Sequence, residues 1–203
     1  MKHSVMPASL FGSQHLDVYW RERWKCYGVS IKQGDYCVTD QPIVITTILG
    51  SCISVCLYDK STGFGGMNHF MLPKKNDDKD MYRPFRYGVF SMEQMVNQFL
   101  KQGSNKAHLQ AKVIGGAKMM GELSKIGQLN IDFIMQYLSD EKLPLVSQDL
   151  GGDQGRKLAF FPNSGRLLVS KIAQIENSKL IERETKIFNK DEQLITQHGV
   201  ELF

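Results

Sequence analysis

Two short stretches of the chain hold the residue types that could do chemistry. The run Thr46-Thr47-Ile48-Leu49-Gly50-Ser51-Cys52 ends with a thiol at a Gly-Ser step, and Gly65-Gly66-Met67-Asn68-His69-Phe70-Met71-Leu72 carries a histidine inside a second apolar run. A free thiol has a reference pKa of about 8.5, so a nucleophilic cysteine needs a basic or cationic neighbour to make the thiolate. An imidazole is the ordinary partner, and its other nitrogen must then be held, for which the hydroxyl of Thr46 or of Thr47 is available. An uncluttered backbone at Gly50 and Ser51 could aim N–H groups at an oxyanion. Spacing alone leaves the bland reading open as well, because cysteine is among the most buried residue types and β-branched threonine favours strands for its own reasons. A metal site built from Cys52, Cys56 and His69 with Cys26 or Cys37 has no C-x-x-C pair behind it.

Whether thiol and imidazole meet depends on the elements that carry them. Ile53–Asp59 and Phe64–Leu72 read as an antiparallel hairpin around Lys60–Gly63. With Asp59 opposite Phe64, alternation puts Cys52, Ser54, Cys56, His69 and Met71 on one face, and Ile53, Val55, Leu57, Asn68, Phe70 and Leu72 on the other. The second set reads as the core face. His69 then lies diagonally across from Cys52 at roughly 7–8 Å between backbones, within side-chain reach. A slip of one residue would separate them.

The rest of the chain supplies the frame. Residues 1–30, with the aromatic stretch DVYWRERWKCYGV, read as a segment docking onto the domain. Short β-branched runs begin after Ile31. Beyond the polar KKNDDKDMYRP, Ser91 and Gln94 have capping-box spacing, with Met92, Met95, Val96, Phe99 and Leu100 as the apolar stripe and Gly103 as the stop. The segment AKVIGG reads as a strand. Met119, Met120, Leu123 and Ile126 mark a short helix ended by Gly127, and Asn130 looks like the N-cap of a third helix carrying Ile131, Ile134, Tyr137 and Leu138. GRKLAFFPNSGRLLVSKI reads as a hairpin about Pro162–Gly165. The glycine-rich GGAK and GGDQG lack the phosphate-loop pattern and read as turns. From residue 174 the chain is a charged tail with a weak stripe at Ile175, Leu180 and Ile181. Strands flanking a block of helices indicate an α+β layered domain over residues 31–173, between an N-terminal docking segment, 1–30, and a C-terminal tail, 174–203.

Bulk properties narrow the function. The 203 residues suit one core, and 42% hydrophobic with 23% charged residues is ordinary for a soluble protein. No apolar run is long enough for a membrane span or a signal-peptide core, so a cytoplasmic protein is expected. The net charge of +4 is scattered, without the basic run and interleaved aromatics of a nucleic-acid groove. Four irregularly spaced cysteines do not form a secreted disulfide framework.

TTILGSCISVCLYD followed by GGMNHFMLP resembles the signature of the CheD chemoreceptor glutamine deamidases. The likeness continues through RYGVFSMEQMVNQFLKQG, AKVIGGAKM and DLGGDQGRKLAFFPNSGRLLVSK, roughly Ile31 to Ile172. Carried over by position, the resemblance implies Cys52 as nucleophile, His69 as base and Thr46 as the orienting hydroxyl, since Thr47 stands where the family is commonly apolar. Where the family often reads Gly-x-Arg-Asn, this chain has Gly127-Gln128-Leu129-Asn130. The resemblance implies a layered sandwich of two mixed or antiparallel β-sheets with about three helices packed on one side, as in the catalytic domain of the cytotoxic necrotizing factor toxins. It also implies hydrolysis of glutamine side chains on the cytoplasmic helical bundle of chemoreceptors to glutamate and ammonia, with no metal or organic cofactor. Some family members bind a CheC-type phosphatase, which makes a non-catalytic receptor- or phosphatase-binding module the alternative. A monomer is the default expectation for a domain of this size, and sensing through the four thiols is a third reading.

Overall fold

The computed structural model describes residues 9–13, 16–72, 83–119, 123–172 and 178–186, the side chains of 83–86 and 124 excepted. Eleven strands follow the chain as β1 (Leu10–Gly12), β2 (Val18–Arg21), β3 (Cys26–Ser30), β4 (Tyr36–Thr39), β5 (Val44–Leu49), β6 (Ile53–Asp59), β7 (Gly65–Asn68), β8 (Leu109–Gly115), β9 (Leu145–Leu150), β10 (Arg156–Phe161) and β11 (Arg166–Lys171). Two long helices are α1 (Arg83–Lys101) and α2 (Leu123–Asp140), and residues 178–186 form a third, α3. The strands make two sheets, ordered β1-β4-β7-β6-β8-β9 and β11-β10-β5-β3-β2. Each is mixed, through the parallel pairs β8 with β9 and β3 with β5. The architecture is the expected α+β sandwich. No helix among the described residues is long and apolar enough to cross a membrane.

Strand β6 shows why the sandwich holds. Six of its seven residues are buried, the pattern of a strand covered on both faces. Its odd-numbered side chains Ile53, Val55 and Leu57 pack with Phe70, Met92, Met95, Phe99, Phe133 and Ile134 in the layer between the six-stranded sheet and helices α1 and α2. Cys52 and Cys56 pack with Met67, Ile45, Leu49 and Phe160 between the two sheets. Both faces of the hairpin are therefore core, where the sequence singled out only one. The reactive face is covered by the second sheet, which joins β5, just before the hairpin in the chain, to the distant strands β10 and β11 and to β2 and β3. Phe70 and Phe133 meet edge to face at 5.7 Å, a geometry favoured by the ring quadrupoles.

The hairpin register is the expected one. Cys56 lies opposite Met67 and Tyr58 opposite Gly65, while Ile53 and Phe70 exchange both backbone hydrogen bonds at 2.9 Å. The β10–β11 hairpin also forms, with a 3₁₀ turn at Pro162–Ser164 and Gly165 left-handed at φ 65°. Residues 10–30 contribute one edge strand to the first sheet and two strands to the other side of the sandwich.

The helices depart from expectation in three places. Helix α1 begins well before Ser91, which sits mid-helix and accepts a hydrogen bond from Asn68 Nδ2 at 3.4 Å instead of capping. Leu100 is on the outside at 43% exposed, although Gly103 does end the helix at φ 84°. The two short helices expected around Gly127 are one, α2, running through both Gly127 and Asn130. Gly127 is explained by close approach, because a Cβ there would come within 2.6 Å of the Ala117 carbonyl oxygen. Met120, Ile175 and residues 74–82 of the polar stretch lie outside the described residues.

Candidate active site

The turn between β5 and β6 is held by its carbonyls. The Gly50 oxygen accepts from Ala117 N at 2.9 Å, the Cys52 oxygen from Gly116 N at 2.8 Å, and the Ser51 oxygen from Asn130 Nδ2 at 2.8 Å. Gly115 is required for this approach, since a Cβ would sit 2.1 Å from the Cys52 oxygen at a φ of +123°. The glycine-rich GGAK is thus a backbone clamp on the Cys52 turn. Asn130 is fully buried and also accepts from Leu72 N at 2.8 Å, so one side chain ties the start of β6 to the end of the His69 segment. Replacing Asn130 by alanine leaves a buried N–H and a buried carbonyl without their partner. The expected result is a loss of about 2–4 kcal/mol in urea unfolding.

His69 is fixed just as closely. Its backbone oxygen accepts from Gly34 N at 2.8 Å, and its N–H donates to the Asp35 oxygen at 3.0 Å. Its ring Nδ1 lies 2.8 Å from Thr47 Oγ1. The single hydroxyl proton of Thr47 goes to the Ile31 carbonyl oxygen at 2.9 Å, so the hydroxyl accepts from the ring and Nδ1 carries the hydrogen. Nε2 is then an unprotonated acceptor, buried and without a hydrogen-bond partner among the described residues.

The hydroxyl that meets the ring in this structure is that of Thr47, where the expectation was Thr46. Thr46 lies on the opposite face of β5, where its hydroxyl meets Ser30 Oγ at 2.9 Å, Arg21 Nη2 at 3.0 Å and the Val29 carbonyl at 3.2 Å. Thr47 shares the inner face with Ile45 and Leu49, which the strand period dictates once the sandwich has chosen which face is inside.

Cys52 and His69 line one cavity of about 610 Å³, together with both Thr46 and Thr47. The Cys52 side chain is 1% exposed, and its thiol donates to Gln33 Oε1 at a sulfur distance of 3.7 Å. Burial, and then the positive charge of Arg183, depress the His69 pKa from 6.5 to about 3, so the ring rests neutral. Burial disfavours the thiolate of the other inner cysteines, pushing Cys37 up to about 12 and Cys56 higher still. No disulfide links the four cysteines, and no group of three His, Cys, Asp or Glu side chains among the described residues could hold a metal ion. The lining includes the cations Arg21, Arg23, Lys32, Lys157 and Arg183 and a single carboxylate, Glu184.

Glu184 was invisible to sequence reasoning. It projects from α3 in the charged tail and is 4% exposed. Its Oε1 accepts from Gly50 N at 2.7 Å, and its Oε2 accepts from Ser51 N and Ser51 Oγ, each at 2.8 Å. The N–H groups of Gly50 and Ser51, expected as oxyanion support, are here bonded one to each oxygen of a carboxylate from the same chain. Gln33 and Arg183 were missed for the same reason, since no local pattern marks them.

Comparison with known proteins gives one consistent result. A family model described as CheD chemotactic sensory transduction matches residues 71–171, a span that begins just after His69. Proteins named probable chemoreceptor glutamine deamidase CheD match far more of the chain. The one from Methylobacillus flagellatus is 42% identical over 83% of this chain and 85% of its own. That from Agrobacterium fabrum is 45% identical over 78% and 87%. A relative from Shewanella oneidensis, named CheD 1, is 38% identical over 98% of each chain.

Proposed function

The chain belongs to the CheD family, and from that premise we propose that it is a protein-glutamine deamidase acting on the helical bundle of chemoreceptors, with Cys52 as nucleophile, His69 as general base and acid, and Thr47 as the hydroxyl that orients the ring. The observation that carries this reading is the Thr47–His69 contact, whose donor order leaves Nε2 an unprotonated acceptor on a residue that lines the same cavity as Cys52.

The chemistry follows from that proton inventory. Cys52 passes its thiol proton to His69 Nε2, and the thiolate attacks the side-chain amide carbon of the bound glutamine. The imidazolium returns the proton to the departing nitrogen, which leaves as ammonia, and a thioester remains on Cys52. Water, deprotonated by the same Nε2, attacks the thioester and releases glutamate, regenerating the thiol. Thr47 keeps Nδ1 protonated throughout but cannot neutralise an imidazolium as a carboxylate would. The oxyanion forms next to the Gly50–Ser51 turn, where each well-placed N–H is worth roughly 3 kcal/mol. Five cations around the cavity suit a receptor surface carrying glutamates. The net outcome is one new negative charge on the receptor for each amide converted.

The test is mass spectrometry of a receptor cytoplasmic fragment before and after incubation, together with ammonia release. Wild-type protein is expected to convert particular glutamines. Thr47→Val should slow conversion roughly 10- to 100-fold while Thr46→Val stays within a few-fold, because only Thr47 holds the ring. Equal effects at the two positions would reject the assignment of Thr47. Tight receptor binding with no product from wild-type protein would favour the binding-module alternative.

A further inference from the structure

We propose that α3 occupies the place of the substrate helix in the free enzyme, with Glu184 lying as an intramolecular product mimic in the subsite that receives the reacting amide oxygen. The inference rests on the deamidase reading and names what it leaves open, the subsite formed by Gly50 N, Ser51 N and Ser51 Oγ. A glutamate carboxylate is what the substrate's carboxamide becomes, and here it is presented from a helix, as the substrate's glutamine would be. Both carboxylate oxygens are used, Oε1 by Gly50 and Oε2 by Ser51.

Three further observations converge on the same helix. A Cβ on Gly50 would come within 2.6 Å of Glu184 Oε2, so the glycine leaves room for a planar side-chain group to lie against the backbone. The three carbonyls of residues 50–52 are already pinned from the other side by Ala117, Asn130 and Gly116, which presents the two amides whether or not Glu184 is there. Helix α3 also lends Leu180 and Arg183 to the cavity wall, over a nucleophile only 1% exposed. Arg183 in addition helps hold His69 neutral, which opposes the thiolate–imidazolium pair. A receptor helix delivering a glutamine must therefore displace α3, and the charge-assisted hydrogen bonds of Glu184 set how often the site is open.

The experiment uses the full chain as wild type, Glu184→Ala and Leu180→Ala. Leu180, 7% exposed, seats α3 in the apolar core, whereas Glu184 holds it through hydrogen bonds to the amides, so the two variants loosen the helix by different routes. Alkylation of Cys52 by iodoacetamide is followed by peptide mapping, with Cys52→Ala as the blank and thermal unfolding as the check of fold. Deamidation of the receptor fragment is measured in parallel. Both variants should alkylate at least about tenfold faster than wild type and deamidate faster. Unchanged alkylation in both variants, or faster alkylation with slower deamidation, overturns the proposal and makes Glu184 a fixed staple of the turn. The arms separate the two readings. Faster alkylation with no deamidation by any chain leaves the displaced helix standing and removes the deamidase, whereas active wild-type protein with unchanged alkylation does the reverse.

Discussion

Replacing Cys52 by alanine is expected to abolish ammonia release from a receptor fragment, by at least about 10⁴-fold, while the protein still folds. Without the sulfur no thioester can form, and water has no activated route to the amide carbon. The loss should fall on turnover, because the sulfur is what the chemistry needs and its 3.7 Å hydrogen bond to Gln33 Oε1 is a weak one. The backbone of residue 52 keeps its role, since its carbonyl is held by Gly116 N whatever the side chain. Receptor binding should therefore survive in the variant. Single-turnover mass spectrometry on trapped enzyme would add the covalent evidence, a wild-type adduct lighter by ammonia than the sum of enzyme and substrate. Residual conversion near the wild-type rate would place the nucleophile elsewhere. The two inner thiols whose pKa values burial raises, Cys37 and Cys56, are poor candidates for that role.

Replacing His69 by asparagine should lower turnover by about 10³-fold or more and also change how stability depends on pH. In the folded protein the ring takes up a proton only near pH 3, because burial and then Arg183 oppose its charge, while in the unfolded chain it does so near 6.5. Between those limits the unfolded state binds a proton that the native state does not. Stability then falls as pH is lowered through that window, by up to roughly 1.4 kcal/mol per pH unit, and the loss is absent above about 6.5. Asparagine does not titrate there, so its curve should be flatter across the window when unfolding is followed in urea at several pH values. A variant curve as steep as wild type would mean that His69 is already charged in the native state. That would also argue for a resting thiolate–imidazolium pair in place of the neutral pair described above.

These experiments bear on a site whose parts were unequally readable. Cys52, His69 and the register that puts them on one face follow from alternation along two adjacent strands joined by a tight loop, so only short-range geometry was needed. The β10–β11 hairpin and the stop at Gly103 were legible for the same reason: turn and cap residues act on their own backbone. Which threonine meets the ring was not. Thr46 and Thr47 are chemically equal neighbours, and which one faces inward depends on how β5 lies between β10 and β3 and on which sheet covers it. Gly127 and Asn130 carry ordinary helix-boundary signals, yet both lie inside α2. Their small or polar side chains are explained by what approaches from elsewhere, the Gly116–Ala117 backbone at one and Ser51 and Leu72 at the other.

Glu184 is the extreme case. It lies 133 residues along the chain from Ser51 and in a stretch rich in exposed charges, so nothing local distinguishes it from its neighbours. Its burial and its three donors exist only because folding returns α3 to the mouth of the cavity. Local backbone chemistry reaches a few residues either way, and it was enough to declare a thiol, an imidazole and the strands beneath them. Deciding which hydroxyl turns the ring, and which carboxylate rests on the amides beside the thiol, required contacts between segments far apart in sequence, and those come into being only when the two sheets close on each other.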